Sequence, residues 1–136
     1  FELHRTVNPN DVENPVWHYL CVARATSPKN ARRHMLAVGN DSRVPMKEIL
    51  ELYRGDGSEE NVLEHASQGS NQQKRNQLCY AHLYLGLYAE SNGNMEKAKE
   101  HILEAAGVYS MDHYMGRVAN VHARIRGWLP PLGAVR

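Results

Sequence analysis

Eight histidines, two cysteines and a few neighbouring carboxylates are the residues of this chain that could do chemistry. Zinc hydrolysis needs two imidazoles on one helical face, four residues apart, with a glutamate beside them. No two of the histidines stand at that spacing and no HExxH occurs, so no metal is expected. His82 and His122 fall on apolar faces, where they are read as core histidines with their hydrogen bonds met. Glu100 with His101, and Glu64 with His65, are adjacent pairs whose side chains diverge around a helix, so they are expected in solvent. There is no glycine loop that would cradle phosphate, no GxSxG elbow and no Cys-His signature. Catalysis would need a cluster assembled from His82, Glu90 and His122. The expectation is therefore a protein that is not an enzyme, with no catalytic residues and no cofactor.

Composition fits a folded chain. Charged residues make up 23% and the apolar set 42%, too apolar for a disordered segment. With 136 residues the length suits one domain, over 1–136. The net charge of +1 supplies no global field toward nucleic acid or an anionic membrane. No apolar run approaches the roughly 20 residues of a membrane span, since even the richest stretch, 78–89, is broken by His82. The chain opens on Phe1 without a basic-then-apolar leader, and is expected to be a processed product or a piece of a longer protein, its compartment unknown. Cys21 and Cys79 lack CxxC spacing. They are read as buried free thiols, with a single disulfide as the alternative.

The elements that would position these residues are helices. Asn14 before Pro15, and Ser27 before Pro28, each offer a cap followed by a first-turn proline. Pro45 suits the first turn of a third helix, Ser58 and Asn94 precede acidic residues as caps, and Asp112 can start the last helix. Gly39, Gly55, Gly69, Gly93 and Gly127 fall where apolar patterns stop, and Pro130 and Pro131 close the helical region. Val16, Leu20 and Ala23 share a stripe, as do Met46, Ile49, Leu50 and Tyr53, and again Ala98, Ile102 and Ala105. Short breaks such as 91–93 favour antiparallel hairpins. Residues 78–89, apolar nearly all round, should be flanked by helices on several sides. The polar stretch 68–77 reads as a loop and 1–13 as mostly irregular.

A period of about 34 residues underlies this order. The clearest unit runs over 78–110: His82, Leu85-Gly86, Gly93, Ala98, Ile102 and Ala105. Gly86 and Ala98 are small where the paired helices would cross closely. Met46, Ile49-Leu50, Tyr53, Val62, Ala66 and Gly69 repeat the spacing over 44–69, with the small residue lost at Leu50. Trp17, Leu20-Cys21, Ala31, Met35 and Val38 form a shortened unit over 14–39. Met115, Val118-Ala119 and His122, within 112–127, look like a capping helix. This arrangement resembles the tetratricopeptide-repeat family, most closely in the turn Ser-Asn-Gly-Asn-Met-Glu-Lys-Ala. The resemblance implies an all-α fold of stacked antiparallel hairpins, about three plus the capping helix, from the C-terminal end of a longer array. A generic helical bundle is the plainer alternative.

In that family first helices line a concave peptide groove. The matching places here are His18 and Val22, then Lys47, Glu51 and Arg54, then Tyr80, Leu83, Tyr84, Leu87 and Glu90, then Asn120 and Arg124. The family's clamp for carboxylate tails is missing, because its places hold His18, Val22, Glu48, Tyr80 and Tyr84. Tyr80 and Tyr84 would either anchor a peptide or pack against the last helix. The expected function is a scaffold that binds a protein or peptide partner. One alternative is a structural module that self-associates as a homo-oligomer. Another is an RNA-binding repeat using the basic first hairpin, where Arg24, Lys29, Arg32, Arg33, Arg43 and Lys47 oppose only Asp41. Glu48, Glu51, Asp56, Glu59, Glu60 and Glu64 oppose only Arg54 in the second hairpin. Complementary solvated faces explain this better than an RNA strip, which would add exposed aromatics, so nucleic acid is disfavoured. Arg117, Arg124 and Arg126 cluster on the last helix, as a solvated face or an anchor for an acidic partner.

Overall fold

The computed structural model of the protein describes residues 1–131, and every regular element among the described residues is a helix. The elements are α1 (Glu2–Val7), α2 (Glu13–Ala25), α3 (Pro28–Arg33), α4 (Met46–Arg54), α5 (Glu59–Ala66), α6 (Asn71–Ser91), α7 (Met95–Ala106) and α8 (Tyr114–Ile125). The expected all-α class is what forms. Two compact units divide the chain, Phe1–His65 and Ala66–Arg136. Positions 132–136 of the expected 1–136 domain lie outside the described residues. No helix among the described residues is long and apolar enough to cross a membrane.

In the first unit α2 packs against both α3 and α4. The α4 stripe Met46, Ile49, Leu50 and Tyr53 is buried as its spacing predicts, and the Tyr53 ring meets Tyr19 of α2 edge-on at 5.1 Å. Ser27 caps α3 by accepting the Asn30 N–H at 3.1 Å, and Ser58 does the same for Asn61 at 3.1 Å. Other expectations fail for tertiary reasons. Asn14 does not cap α2, which begins at Glu13; its buried amide instead donates to the Phe1 carbonyl at 2.9 Å. Residues 1–13 are not wholly irregular, because α1 forms there, although none of its residues is buried. Pro45 is the N-cap of α4 and lies outside its first turn.

The second helix of the first hairpin is shorter than its apolar pattern. α3 stops at Arg33, so Met35 and Val38 lie beyond it. Gly39 consequently ends no helix and keeps a negative φ, while its N–H donates to the Pro9 carbonyl at 2.7 Å. Two residues on, Asp41 accepts the Val12 N–H at 3.0 Å. The chain here leaves the helix to satisfy backbone groups about thirty residues away, which no local pattern records.

The second unit is built on α6, which packs against α7 and α8. Its helix starts earlier than expected, inside the polar stretch 68–77. Ser70 and Gln73 form a reciprocal capping box, with bonds of 3.2 and 2.9 Å, that holds the polar first turns as helix. Residues from Cys79 to Ala89 are buried almost throughout, as an element flanked on several sides must be.

Where α6 crosses α7, a Cβ on Gly86 would stand 2.7 Å from Ile102 Cγ1 and 3.2 Å from the Ala98 carbonyl oxygen. No larger side chain fits that crossing unless Ile102 moves. Ala98, Ile102 and Ala105 are buried against it. Asn94 caps α7 through the Lys97 N–H at 3.2 Å. Asp112 does not start α8: His113 is the cap, accepting the Met115 N–H at 3.3 Å, and Asp112 instead pairs with Arg117 at 3.0 Å. Gly55, Gly69, Gly93 and Gly127 all take the left-handed conformation expected after a helix.

Candidate functional site

α8 carries apolar residues on two faces and sorts them by size. Gly116, Ala119 and Ala123, at i, i+3 and i+7, are its buried residues. Tyr114, Val118, Val121 and Ile125, at i, i+4, i+7 and i+11, lie on the other side. Tyr114 and Ile125 are each 69% exposed and Val121 46%. Core packing alone favours the opposite arrangement, since burying Ile and Tyr releases far more apolar surface than burying Gly and Ala. The four outward side chains, with Arg117 and His122, line an open hollow of about 520 Å³.

Polar contacts fix α8 in place beneath that stripe. Arg126 grips Glu90 of α6 with two parallel bonds of 2.9 Å, and His122 Nε2 reaches the same carboxylate at 3.0 Å. Burial pushes the Glu90 carboxyl upward, but the Arg126 hydrogen bonds, then His122, outweigh it and leave it below the ordinary carboxylate range. The Trp128 indole sits edge-on to His122 at 6.0 Å. Arg124 donates to Asn120 Oδ1 at 2.7 Å and to the Pro130 carbonyl. Tyr84 donates its hydroxyl to Met115 Sδ at 3.6 Å, so this tyrosine packs against the last helix.

The expected groove residues divide by unit and by exposure. In the first unit Lys47 and Arg54 are exposed, Glu51 and Val22 half-buried, and the half-buried His18 ring stands edge-on to Phe1 at 5.5 Å. In the second, Leu83, Tyr84 and Leu87 are buried core residues, and their side chains are closed to any ligand in this structure. Tyr80 is half-buried, its ring 6.0 Å from His113. Glu90 is held by Arg126 and His122, and Asn120 accepts from Arg124, so all three are engaged in structural contacts.

The residues weighed for catalysis form two separate groups. Glu90 and His122 meet, whereas His82 Nδ1 faces His101 Nδ1 at 2.9 Å and stacks on Tyr109 at 5.3 Å. At most one hydrogen can lie between two such nitrogens. His101 is buried, not solvated as its place beside Glu100 suggested, because α7 turns it toward α6. No group of three or more metal-ligating side chains occurs among the described residues. Both cysteines are free. Cys79 is buried and its thiol is pushed up to about 11 by burial, but Cys21 is exposed, because only part of α2 faces the core.

The basic strip of the first hairpin loses Arg43. Its guanidinium bonds Asp41 at 2.7 Å, Glu13 at 2.7 Å and Asp11 at 2.9 Å, and so is committed to three carboxylates of its own unit. Burial raises the Asp41 carboxyl, and Arg43 together with the Val12 and Arg43 N–H groups brings it below its ordinary value.

Compared with protein-family models, with curated proteins and with solved structures, the chain matches none. The residues that sequence reasoning missed are therefore the outer stripe of α8. Its spacing was legible, but nothing local says which of two apolar faces a helix turns inward.

Proposed function

We propose that this chain is a non-catalytic protein-interaction module, built of stacked helical hairpins of the tetratricopeptide-like kind, that holds a partner against the outer face of α8. One observation carries the reading: Tyr114, Val121 and Ile125 are exposed on a helix whose fully buried residues are glycine and alanine. Such a face is stable in water alone but gains most when covered. The close α6–α7 crossing at Gly86 supports the hairpin architecture, since it is the geometry that the repeat resemblance implies. Tyr114 is a suitable anchor, giving large contact area with few rotatable bonds.

The test is a photo-crosslinking amino acid placed at Val121 in the full chain, in the cells that make it. A covalent adduct with another protein is expected, and much less adduct from the same probe at the exposed Lys99 of α7. Equal labelling at both positions, or none at Val121, would end the reading. Self-association is the second reading. Its support is that an antiparallel copy of the stripe sets Tyr114 against Ile125 and Val118 against Val121. An adduct of twice the chain's own mass would favour it.

A further inference from the structure

A second hollow in Ala66–Arg136 is polar and shares no lining residue with the one on α8. It has a volume of about 450 Å³ between Gln72, Arg75 and Asn76 of α6 and residues 110–113, which join α7 to α8. We infer that this hollow is a binding site for an oxyanion, the phosphate or carboxylate group of a small molecule.

The α6 wall follows from spacing. Positions 72, 75 and 76 are i, i+3 and i+4, so the three side chains share one helical face. They do so only because the capping box of Ser70 and Gln73 holds these polar turns as helix.

The facing wall is fixed by contacts of its own. The Met111 N–H is directed at the sulfur of Cys79, one turn beyond Arg75 on α6. From α8, a Cβ on Gly116 would run into the Met111 carbonyl oxygen and stand 2.9 Å from the Met111 nitrogen. Glycine at 116 thus lets the Met111 backbone lie directly against α8. Arg75 Nε donates to the Ser110 carbonyl at 3.4 Å. The His113 ring lies 6.0 Å from that of Tyr80, and its Nδ1 accepts the Met115 N–H at 3.3 Å. A loop held at Ser110, Met111 and His113 presents its groups in one arrangement, so little order is lost on binding.

The groups left over are mainly donors. Arg75 forms no ion pair among the described residues and uses only Nε, which leaves both Nη groups for a ligand. His113 accepts at Nδ1, so the hydrogen of its neutral ring is on Nε2. Asn76 accepts from Gln72 at 3.1 Å through Oδ1, which leaves its amide hydrogens to donate. The carboxylate in the lining, Asp112, pairs at 3.0 Å with Arg117, which does not line the hollow. With Asp112 offset, the lining is cationic through Arg75. A guanidinium fork beside neutral N–H donors suits an oxyanion, which accepts two parallel bonds, whereas a cation would meet like charge.

Two-dimensional proton–nitrogen NMR of the full chain tests this with inorganic phosphate and with acetate, each against chloride at equal ionic strength. The Arg75 Nε–H and Asn76 side-chain amide signals should shift and saturate at anion concentrations on the order of 1 mM, but not with chloride. Arg75→Gln should weaken binding about tenfold, read at Asn76, with circular dichroism unchanged. If that variant disturbs folding, Asn76→Ala replaces it, with a loss of about threefold read at Arg75. Arg54→Gln, an exposed position in the first unit, should bind as the wild type does. Saturation with phosphate alone makes the ligand a phosphate ester and with acetate alone a carboxylic acid, and either result supports the site. No saturation with either ion, equal shifts with chloride, or Arg75→Gln binding undiminished would overturn the inference. So would a loss in Arg54→Gln as large as in Arg75→Gln. None of these outcomes depends on an adduct at Val121, because the two hollows have separate linings.

Discussion

The two units hold themselves together by different means. In Ala66–Arg136 small residues sit at the buried positions: Gly86 lets Ile102 and Ala98 approach where α6 crosses α7, Ala119 and Ala123 are buried on α8, and Gly116 leaves room for the backbone of Met111. In Phe1–His65 the corresponding work falls to large and charged groups, the Tyr19–Tyr53 ring pair and the three carboxylates around Arg43. Small-residue crossings recur at helical spacing and leave a periodic trace. Ionic and aromatic contacts join residues about thirty positions apart and leave none.

The strongest way to break the comparison is at Gly86. Gly86→Val places a branched side chain where even a Cβ meets Ile102 at 2.7 Å, and should cost about 3 kcal/mol in chemical denaturation. In an Ile102→Ala background most of that penalty should vanish, because the two changes share one space. Additive effects would show that the crossing is not what limits residue size there.

A smaller effect is expected from the ionic contacts, one in each unit. Arg43→Ala and Glu90→Gln should each cost about 1–2 kcal/mol, allowing for the solvent that screens partly exposed pairs. Both Asp41 and Glu90 have folded-state values below the ordinary ones. Each therefore adds stability above the unfolded carboxylate range, and loses it as pH falls below about 4 and through the folded value. Denaturation curves at pH 7 and pH 3 should show the variants approaching the wild type at the lower pH. A gap that stays constant would mean that the ion pairs contribute nothing specific.

The smallest effect is chemical. At pH 8 an alkylating reagent should modify exposed Cys21 quickly, and Cys79, its thiol pushed up to about 11, only once the protein unfolds. Intact-mass spectrometry follows both events. Modification of both residues at one rate would mean that the second unit opens as easily as a surface site.

Much of the fold was legible from local chemistry. Ser27, Ser58 and Asn94 cap helices because a short side-chain oxygen reaches an unpaired N–H two or three residues on. The start of α6 was also legible in Ser70 and Gln73, but the polar composition of 68–77 obscured it. Asn14 has the same side-chain chemistry and is not a cap because α2 already begins at Glu13, which places Asn14 inside the helix, where its amide donates to the Phe1 carbonyl thirteen residues away. Of the candidate site, the basic cluster on the last helix could be seen, whereas Leu83, Tyr84 and Leu87 proved to be core.

By itself the sequence determined that the chain is helical, where α3, α5 and α7 are capped, and that Gly86 must meet a neighbour closely. Periodicity and capping are properties of a few consecutive residues, so a linear string contains them. Only the tertiary structure decided that Arg43 is committed to Asp11, Glu13 and Asp41, that Asn14 turns to Phe1, and that α8 hides its small face and shows its large one. Those outcomes depend on which distant group arrives first at a donor or a surface, and one-dimensional spacing does not encode that competition.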